Sequence, residues 1–222
     1  MRIRAVVFDL DGTLVDSAPG LQTAANAVLA EYGCAPLGLQ EVEAMIGDGI
    51  PALVGKAFAH RGRTLDRAER EAATEMFRRL YAKCGPRETL LYPGVRESLK
   101  QLSSFGLVLG LCTNKPQNST EPLLKALKID HFFSAVCGGD VLPADIRKPD
   151  PRHVLAVLAG LGIEASEAVM VGDGPHDVDA GQGAGMPVFA VTYGYSNDPM
   201  DTLGADFVID SLTELPDYLE YL

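Results

Sequence analysis

Residues 3–8 (Ile-Arg-Ala-Val-Val-Phe) are apolar at all but one position and stop abruptly at Asp9-Leu10-Asp11-Gly12. A short apolar run cut off by turn residues predicts a strand buried on both faces, as in a parallel sheet. Residues 17–90 change period and carry no convincing strand. Helical spacing covers 17–31, stopped by Gly33, and two shorter stretches, 38–45 and 50–60, flank Gly47-Asp48-Gly49. A long charged amphipathic helix follows over 65–84, ended by Gly85-Pro86. From Pro93 onward helices and apolar strands alternate. The pattern predicts helix 95–105, strand 107–112, helix 122–127, strand 135–137, helix 151–161 and strand 168–171. A turn and helix over 174–184 and strands 188–191 and 207–209 complete it. Such alternation means βαβ crossovers. The predicted fold class is α/β: a doubly wound, Rossmann-like parallel sheet, with four helices inserted after its first strand. Residues 1–16 and 91–222 would form the core, and 17–90 the helical insert.

Charge sharpens that division. The 222 residues carry 19 Lys+Arg against 30 Asp+Glu, a net −11, which disfavours nucleic acid or an anionic membrane as partner. Residues 17–90 hold nine basic and nine acidic side chains, so the whole −11 belongs to 1–16 and 91–222. A neutral unit within an acidic chain suggests an inserted domain. No run approaches the roughly 18 apolar residues of a membrane span, and the apolar stretch before Asp9 is too short for a signal peptide. Four cysteines without C-x-x-C spacing indicate neither a zinc ribbon nor a redox pair. A reducing cytoplasm is the expected compartment.

Functional groups in open α/β sheets gather at the carboxyl ends of the strands. Those ends supply Asp9 and Asp11 after the first strand, Thr113 and Asn114 after the second, and Asp173 and Asp177 after the fourth. Lys148 opens the helix before the fourth strand, and Lys115 either adjoins the site or lies on the surface. Carboxylates crowded on one edge repel unless a cation sits among them, so a hard metal is implied. Mg²⁺ is typically held by one or two carboxylates plus waters and phosphate. Lys148 and Thr113 would bind an anionic oxygen beside it.

Asp9-Leu10-Asp11-Gly12-Thr13, Thr113, Lys148-Pro149, and Gly172-Asp173 followed by Asp177 resemble the four ordered motifs of the haloacid dehalogenase-like phosphohydrolase superfamily. The likeness runs the length of the chain, and the insert resembles that superfamily's type 1 cap. Asp16-Ser17-Ala18-Pro19-Gly20, Ile46-Gly47-Asp48-Gly49, Leu91-Tyr92-Pro93-Gly94, Thr113-Asn114-Lys115-Pro116 and Thr192-Tyr193-Gly194-Tyr195 are similar to the bacterial phosphoglycolate phosphatases. The resemblance implies that Asp9 is the nucleophile, forming an aspartyl phosphate. Asp11 would protonate the leaving alkoxide, then deprotonate the hydrolytic water, and would offer its main-chain carbonyl to Mg²⁺. Gly12 would permit the sharp turn at the substrate and Thr13 would tie it down. Thr113, the Asn114 amide and Lys148 would bind phosphoryl oxygens. Asp9 and Asp173 would be the side-chain metal ligands, with Asp177 orienting metal-bound water or Lys148. Gly174 and Pro175 depart from the motif, since many relatives carry serine at the first of these positions.

The implied activity is Mg²⁺-dependent hydrolysis of a small phosphate monoester. Of such esters, 2-phosphoglycolate fits best, with its phosphate at Mg²⁺ and Lys148. Its carboxylate would meet amides beside Gly47 and Gly49, where the helix 50–60 begins. Asp48 would turn away as that helix's N-cap, and Lys56 or an arginine of the insert would add charge. Another small ester, a sugar phosphate or nucleotide, is the alternative. A phosphomutase would want a base where Asp48 stands, and a dehalogenase would have no use for Asp11. A phosphate sensor without activity stays open, as do monomer and homodimer. Pro19, Gly20, Pro93 and Gly94 would be hinges between core and insert.

Overall fold

The computed structural model describes residues 3–143, 145–196, 199 and 202–219; the outermost residues of the expected core, 1–2 and 220–222, lie outside that set. In chain order the strands are β1 (Ala5–Phe8), β2 (Val15–Asp16), β3 (Leu90–Leu91), β4 (Val108–Cys112), β5 (Phe133–Cys137), β6 (Ala168–Gly172), β7 (Val188–Val191) and β8 (Phe207–Ile209). The α-helices are α1 (Ala18–Glu31), α2 (Leu39–Glu43), α3 (Ile50–His60), α4 (Arg67–Glu88), α5 (Val95–Ser104), α6 (Gln117–Ala126), α7 (Pro151–Leu161), α8 (Pro175–Gly183) and α9 (Leu215–Leu219). Among these residues no helix is long and apolar enough to cross a membrane.

Six strands form one sheet in the order β5-β4-β1-β6-β7-β8, parallel at every pairing. This is the doubly wound α/β sheet that the strand–helix alternation predicts. The order reverses beside β1, the kind of switch point at which such sheets bind ligands. Period-two alternation divides the core between the two faces. Val6 and Phe8 pack with Leu99, Leu109, Leu111, Val169 and Val171, while Ala5 and Val7 pack with Val154, Val157, Met170 and Val188. Each fully buried large side chain contributes about 1.5–3 kcal/mol, so β1 is apolar throughout because neither face meets water.

The chain divides into two compact units, Met1–Val15 with Leu91–Leu222, and Asp16–Leu90. The second unit holds α1–α4 around its own core of Leu21, Val28, Leu53, Phe58 and Phe77. Its longest helix starts at a reciprocal cap: Asp66 accepts the Glu69 amide at 2.8 Å, and Glu69 accepts the Asp66 amide at 3.1 Å. Between the units the chain runs through β2 and β3, which pair with each other.

Two helix boundaries differ from the sequence pattern by more than two residues. Helix α4 does not end at Gly85-Pro86 but continues to Glu88. Pro86 lies in its last turn and removes one helical bond there, while the Thr89 hydroxyl donates to the Gly85 carbonyl at 2.7 Å. Helix α6 starts at Gln117 rather than at Pro122, which stands inside it. One acceptor remote in sequence and one at the helix's own N-terminus support the earlier start. The Gln117 amide donates to Asp140 at 2.7 Å, and the Ser119 and Thr120 amides donate to the Pro116 carbonyl.

Candidate active site

Asp9 extends β1 by one residue, its amide donating to the Val171 carbonyl at 2.9 Å, which fixes its carboxylate at the carboxyl edge of the sheet. Lys148 reaches the same place from the loop before α7. That helix begins at Pro151 behind an Asp150 cap, so Lys148 precedes the helix rather than opening it. Its Nζ donates to Asp9 Oδ1 at 2.5 Å and to Asp177 Oδ1 at 2.6 Å. The other Asp177 oxygen accepts the amides of Asp173 and Gly174 at 3.1 and 3.2 Å. One carboxylate thus closes the turn after β6 and holds the lysine.

Asp173 is gripped from two further segments. Tyr195 donates its amide to Oδ2 at 2.7 Å, and the Thr13 hydroxyl donates to Oδ1 at 3.4 Å. Gly12, at φ +90, and Gly194 both lie against this carboxylate, and a Cβ at either position would overlap it. The Tyr193 hydroxyl donates to the Thr13 carbonyl at 2.9 Å, tying the segment after β7 to the turn after β1. These main-chain and glycine contacts carry no residue-type signature, although the Tyr193-Gly194-Tyr195 run at a strand end marks the place.

Thr113 prolongs β4, its amide donating to Cys137 at 3.1 Å. Its hydroxyl oxygen accepts the Lys115 amide at 3.2 Å, which leaves the hydroxyl proton for an anionic oxygen. The Asn114 side chain donates to the Lys148 carbonyl at 3.0 Å, and the Lys148 amide donates to buried His153 Nδ1 at 3.3 Å. His153 Nε2 is buried without a hydrogen-bond partner among the described residues. Burial, seconded by Lys148, depresses the His153 imidazole to about 4. Asp11 turns to Lys115, whose Nζ meets both of its oxygens at 3.0 Å.

Asp9, Asp173 and Asp177 each offer an oxygen within 4.8 Å of the others, and all three are buried. Burial raises Asp9 to about 7, with Asp177 and Asp11 adding to the push and Lys148 opposing it. Burial, then Asp177 and Asp9, hold Asp173 well above the usual carboxylate range. For Lys148 burial alone would favour the neutral amine, yet Asp177 and Asp9 outweigh it and keep the ammonium. Three carboxylates against one ammonium leave two negative charges without partners, and a divalent cation brings the sum to zero. An all-oxygen donor set suits a hard cation, so this cluster fits one.

Gly47 and Gly49 belong to the second unit, in the loop before α3, at φ 122 and 83. There the expectation for Asp48 fails. Gly49 is the residue at the cap position, and no side chain caps the helix. The positive φ of Gly49 leaves Asp48 one residue outside, where its carboxylate meets Lys56 Nζ at 2.6 Å. Lys56 is thus paired with Asp48 at an exposed position.

The family model described as haloacid dehalogenase-like hydrolase matches residues 6–191. The chain belongs to the haloacid dehalogenase-like hydrolases. Among the relatives of this hydrolase, the phosphoglycolate phosphatase of Caulobacter vibrioides is 42% identical, over 95% of this chain and 88% of its own. That of Rhodospirillum rubrum is 43% identical, over 98% and 91%. A crystal structure described as a predicted phosphoglycolate phosphatase from Haemophilus somnus superposes with a TM-score of 0.91 at 31% identity, covering 98% of both chains.

Proposed function

We propose that this hydrolase cleaves small phosphate monoesters, 2-phosphoglycolate above all, with Mg²⁺ as its cation. The observation that carries the reading is the chain Asp9–Lys148–Asp177 with Asp173 beside it, at the switch point of the sheet. Relatives more than 40% identical across nearly the whole chain supply the substrate.

Asp9 attacks phosphorus, forming an Oδ–P bond as the bond from phosphorus to the leaving oxygen breaks. Asp11 gives that oxygen its proton, then takes one from the water that breaks the Oδ–P bond and releases inorganic phosphate. Lys148, Thr113 and the Asn114 amide hold phosphoryl oxygens, while Asp177 keeps Lys148 aimed. Gly12 and Thr13 shape the turn that carries Asp11 and buttress Asp173. Asp9, Asp173 and the Asp11 main-chain carbonyl would hold Mg²⁺. The bound cation supplies positive charge that favours ionised Asp9 and offsets the charge of the phosphoryl group. Gly47 and Gly49 are assigned to the substrate's carboxylate through their main-chain amides. Four free thiols suit a reducing cytoplasm.

A steady-state panel of two- to six-carbon phosphate esters, with and without Mg²⁺, tests this. The expected kcat/KM for 2-phosphoglycolate exceeds that for neutral sugar phosphates at least about tenfold, equivalent to roughly 1.4 kcal/mol. A hexose phosphate or nucleotide in first place refutes the substrate and leaves the phosphatase. Turnover that survives exhaustive chelation refutes the cation.

A further inference from the structure

Lys115 is a buried ammonium for which phosphate binding at the end of β4 makes no demand. It is only 7% exposed, and its Nζ lies 3.0 Å from each Asp11 oxygen. Its main chain is pinned on both sides: the amide donates to Thr113 Oγ1, and the carbonyl accepts the Gly139 amide at 2.9 Å. The ammonium therefore projects from a fixed turn onto a group 104 positions away in sequence. Fold stability does not explain the pair, because desolvating two charges largely offsets their attraction.

We propose that Lys115 is the positioning residue for Asp11. Asp11 stands on a turn, and Lys115 meets both oxygens of its carboxyl group. One ammonium equidistant from both oxygens fixes the plane of that group and its distance from the phosphorus that Asp9 attacks. The inference rests on the reading of Asp11 as proton donor and acceptor. The proton passes from Asp11 to the leaving oxygen in the first half-reaction and returns from water in the second, and Lys115 keeps its own protons throughout. A displacement of about 1 Å in such a group costs on the order of 10²-fold in rate.

Leaving-group dependence separates positioning from support of the fold. An alkyl phosphate releases a strongly basic alkoxide that needs a proton, whereas p-nitrophenyl phosphate releases a weakly basic phenolate that does not. The experiment measures kcat and KM on 2-phosphoglycolate and p-nitrophenyl phosphate for wild type, Lys115→Met, Lys115→Arg, Asp11→Asn and Asp11→Asn/Lys115→Met. Lys115→Met is expected to lower kcat/KM on the alkyl ester about 10²-fold and on the aryl ester less than about tenfold. The ratio kcat/KM reads only the steps up to loss of the leaving group, whereas water attack on the aspartyl phosphate is common to both esters. On the alkyl ester the variant's KM should stay within about threefold, and Lys115→Arg should recover part of the loss. The double variant should be no slower than Asp11→Asn alone. Because it leaves neither charge buried without its partner, it keeps the comparison available if Lys115→Met unfolds. Equal losses of kcat/KM on both esters, a loss confined to KM, or multiplicative losses in the double variant overturn the assignment. If Asp11→Asn itself loses kcat/KM equally on both esters, the acid–base reading falls, and the inference with it.

Discussion

Asp9→Asn should stabilise the metal-free protein while removing its activity. Burial, with Asp177 and Asp11 alongside, pushes the Asp9 carboxyl to about 7 against the ordinary 3.8, even with Lys148 in contact. Between those values the folded protein keeps a proton that the unfolded chain has released. Stability therefore falls as pH rises through the window: there is no penalty below 3.8 and the full penalty above 7. At about 1.4 kcal/mol per pH unit, the penalty reaches roughly 4 kcal/mol at pH 8 and roughly 2 kcal/mol at pH 5. Asparagine has no charge to desolvate, and its oxygen can still accept from Lys148. The pull of Lys148 on the charged form is already contained in the value of about 7. The expected net gain is about 4 kcal/mol at pH 8, shrinking to about 2 kcal/mol at pH 5. Urea denaturation of both proteins in chelator, at the two pH values, measures it. Added Mg²⁺ should then stabilise wild type and not the variant, and kcat of the variant should fall by several orders of magnitude. A variant no more stable than wild type at pH 8, or a gain that does not shrink at pH 5, refutes the argument from burial. Retention of more than about a tenth of wild-type kcat removes Asp9 as nucleophile.

His153→Gln should flatten a pH dependence of the opposite sign. The wild-type imidazole, depressed from 6.5 to about 4, is protonated first in the unfolded chain, so wild type loses up to about 3 kcal/mol as pH falls through that interval. The difference between wild-type and variant unfolding free energies at pH 7.5 and pH 5 isolates the effect, and parallel curves would exclude it. Gly194→Ala should push on Asp173 and weaken divalent-ion affinity about 10–100-fold. Calorimetric titration with Mg²⁺ reads this directly, and an unchanged affinity would show that the contact at Gly194 does not matter.

The sheet was legible because its strands are short apolar runs that end on polar turn residues. Phe8 before Asp9, Cys112 before Thr113 and Val171 before Gly172-Asp173 are such junctions. Asp9, Asp173 and Asp177 could be singled out for the same reason, and Lys148 by its place ahead of a helix; the fold brings them together. Less was visible where main-chain groups do the work. The Tyr195 amide on Asp173 and the Lys148 amide on His153 depend on tertiary approach, which no side-chain pattern encodes. Asp48 shows a different failure. Its residue type favours an N-cap, but the positive φ of Gly49 moved the cap one residue on and left the carboxylate to Lys56. Lys115 was undecided in sequence, because a lysine after a strand reads equally as solvated or as aimed at a carboxylate across the sheet.

The place of β1 between β4 and β6 also bears on how the chain is made. Phe8 pairs with Leu111 and Val171, so the first strand to be synthesised waits for partners that appear much later. At roughly 5–20 residues per second, the second partner emerges roughly 8–30 s after the first strand. Until β4 emerges this apolar strand has both edges open, and until β6 emerges it has one, a template for pairing with other nascent chains. The helical unit is complete well before then and can fold around its own core. Asp9 stays chemically idle until β6 and the turn bearing Asp173 and Asp177 arrive. Ribosomes that stall earlier therefore release polypeptides prone to association and without hydrolytic power.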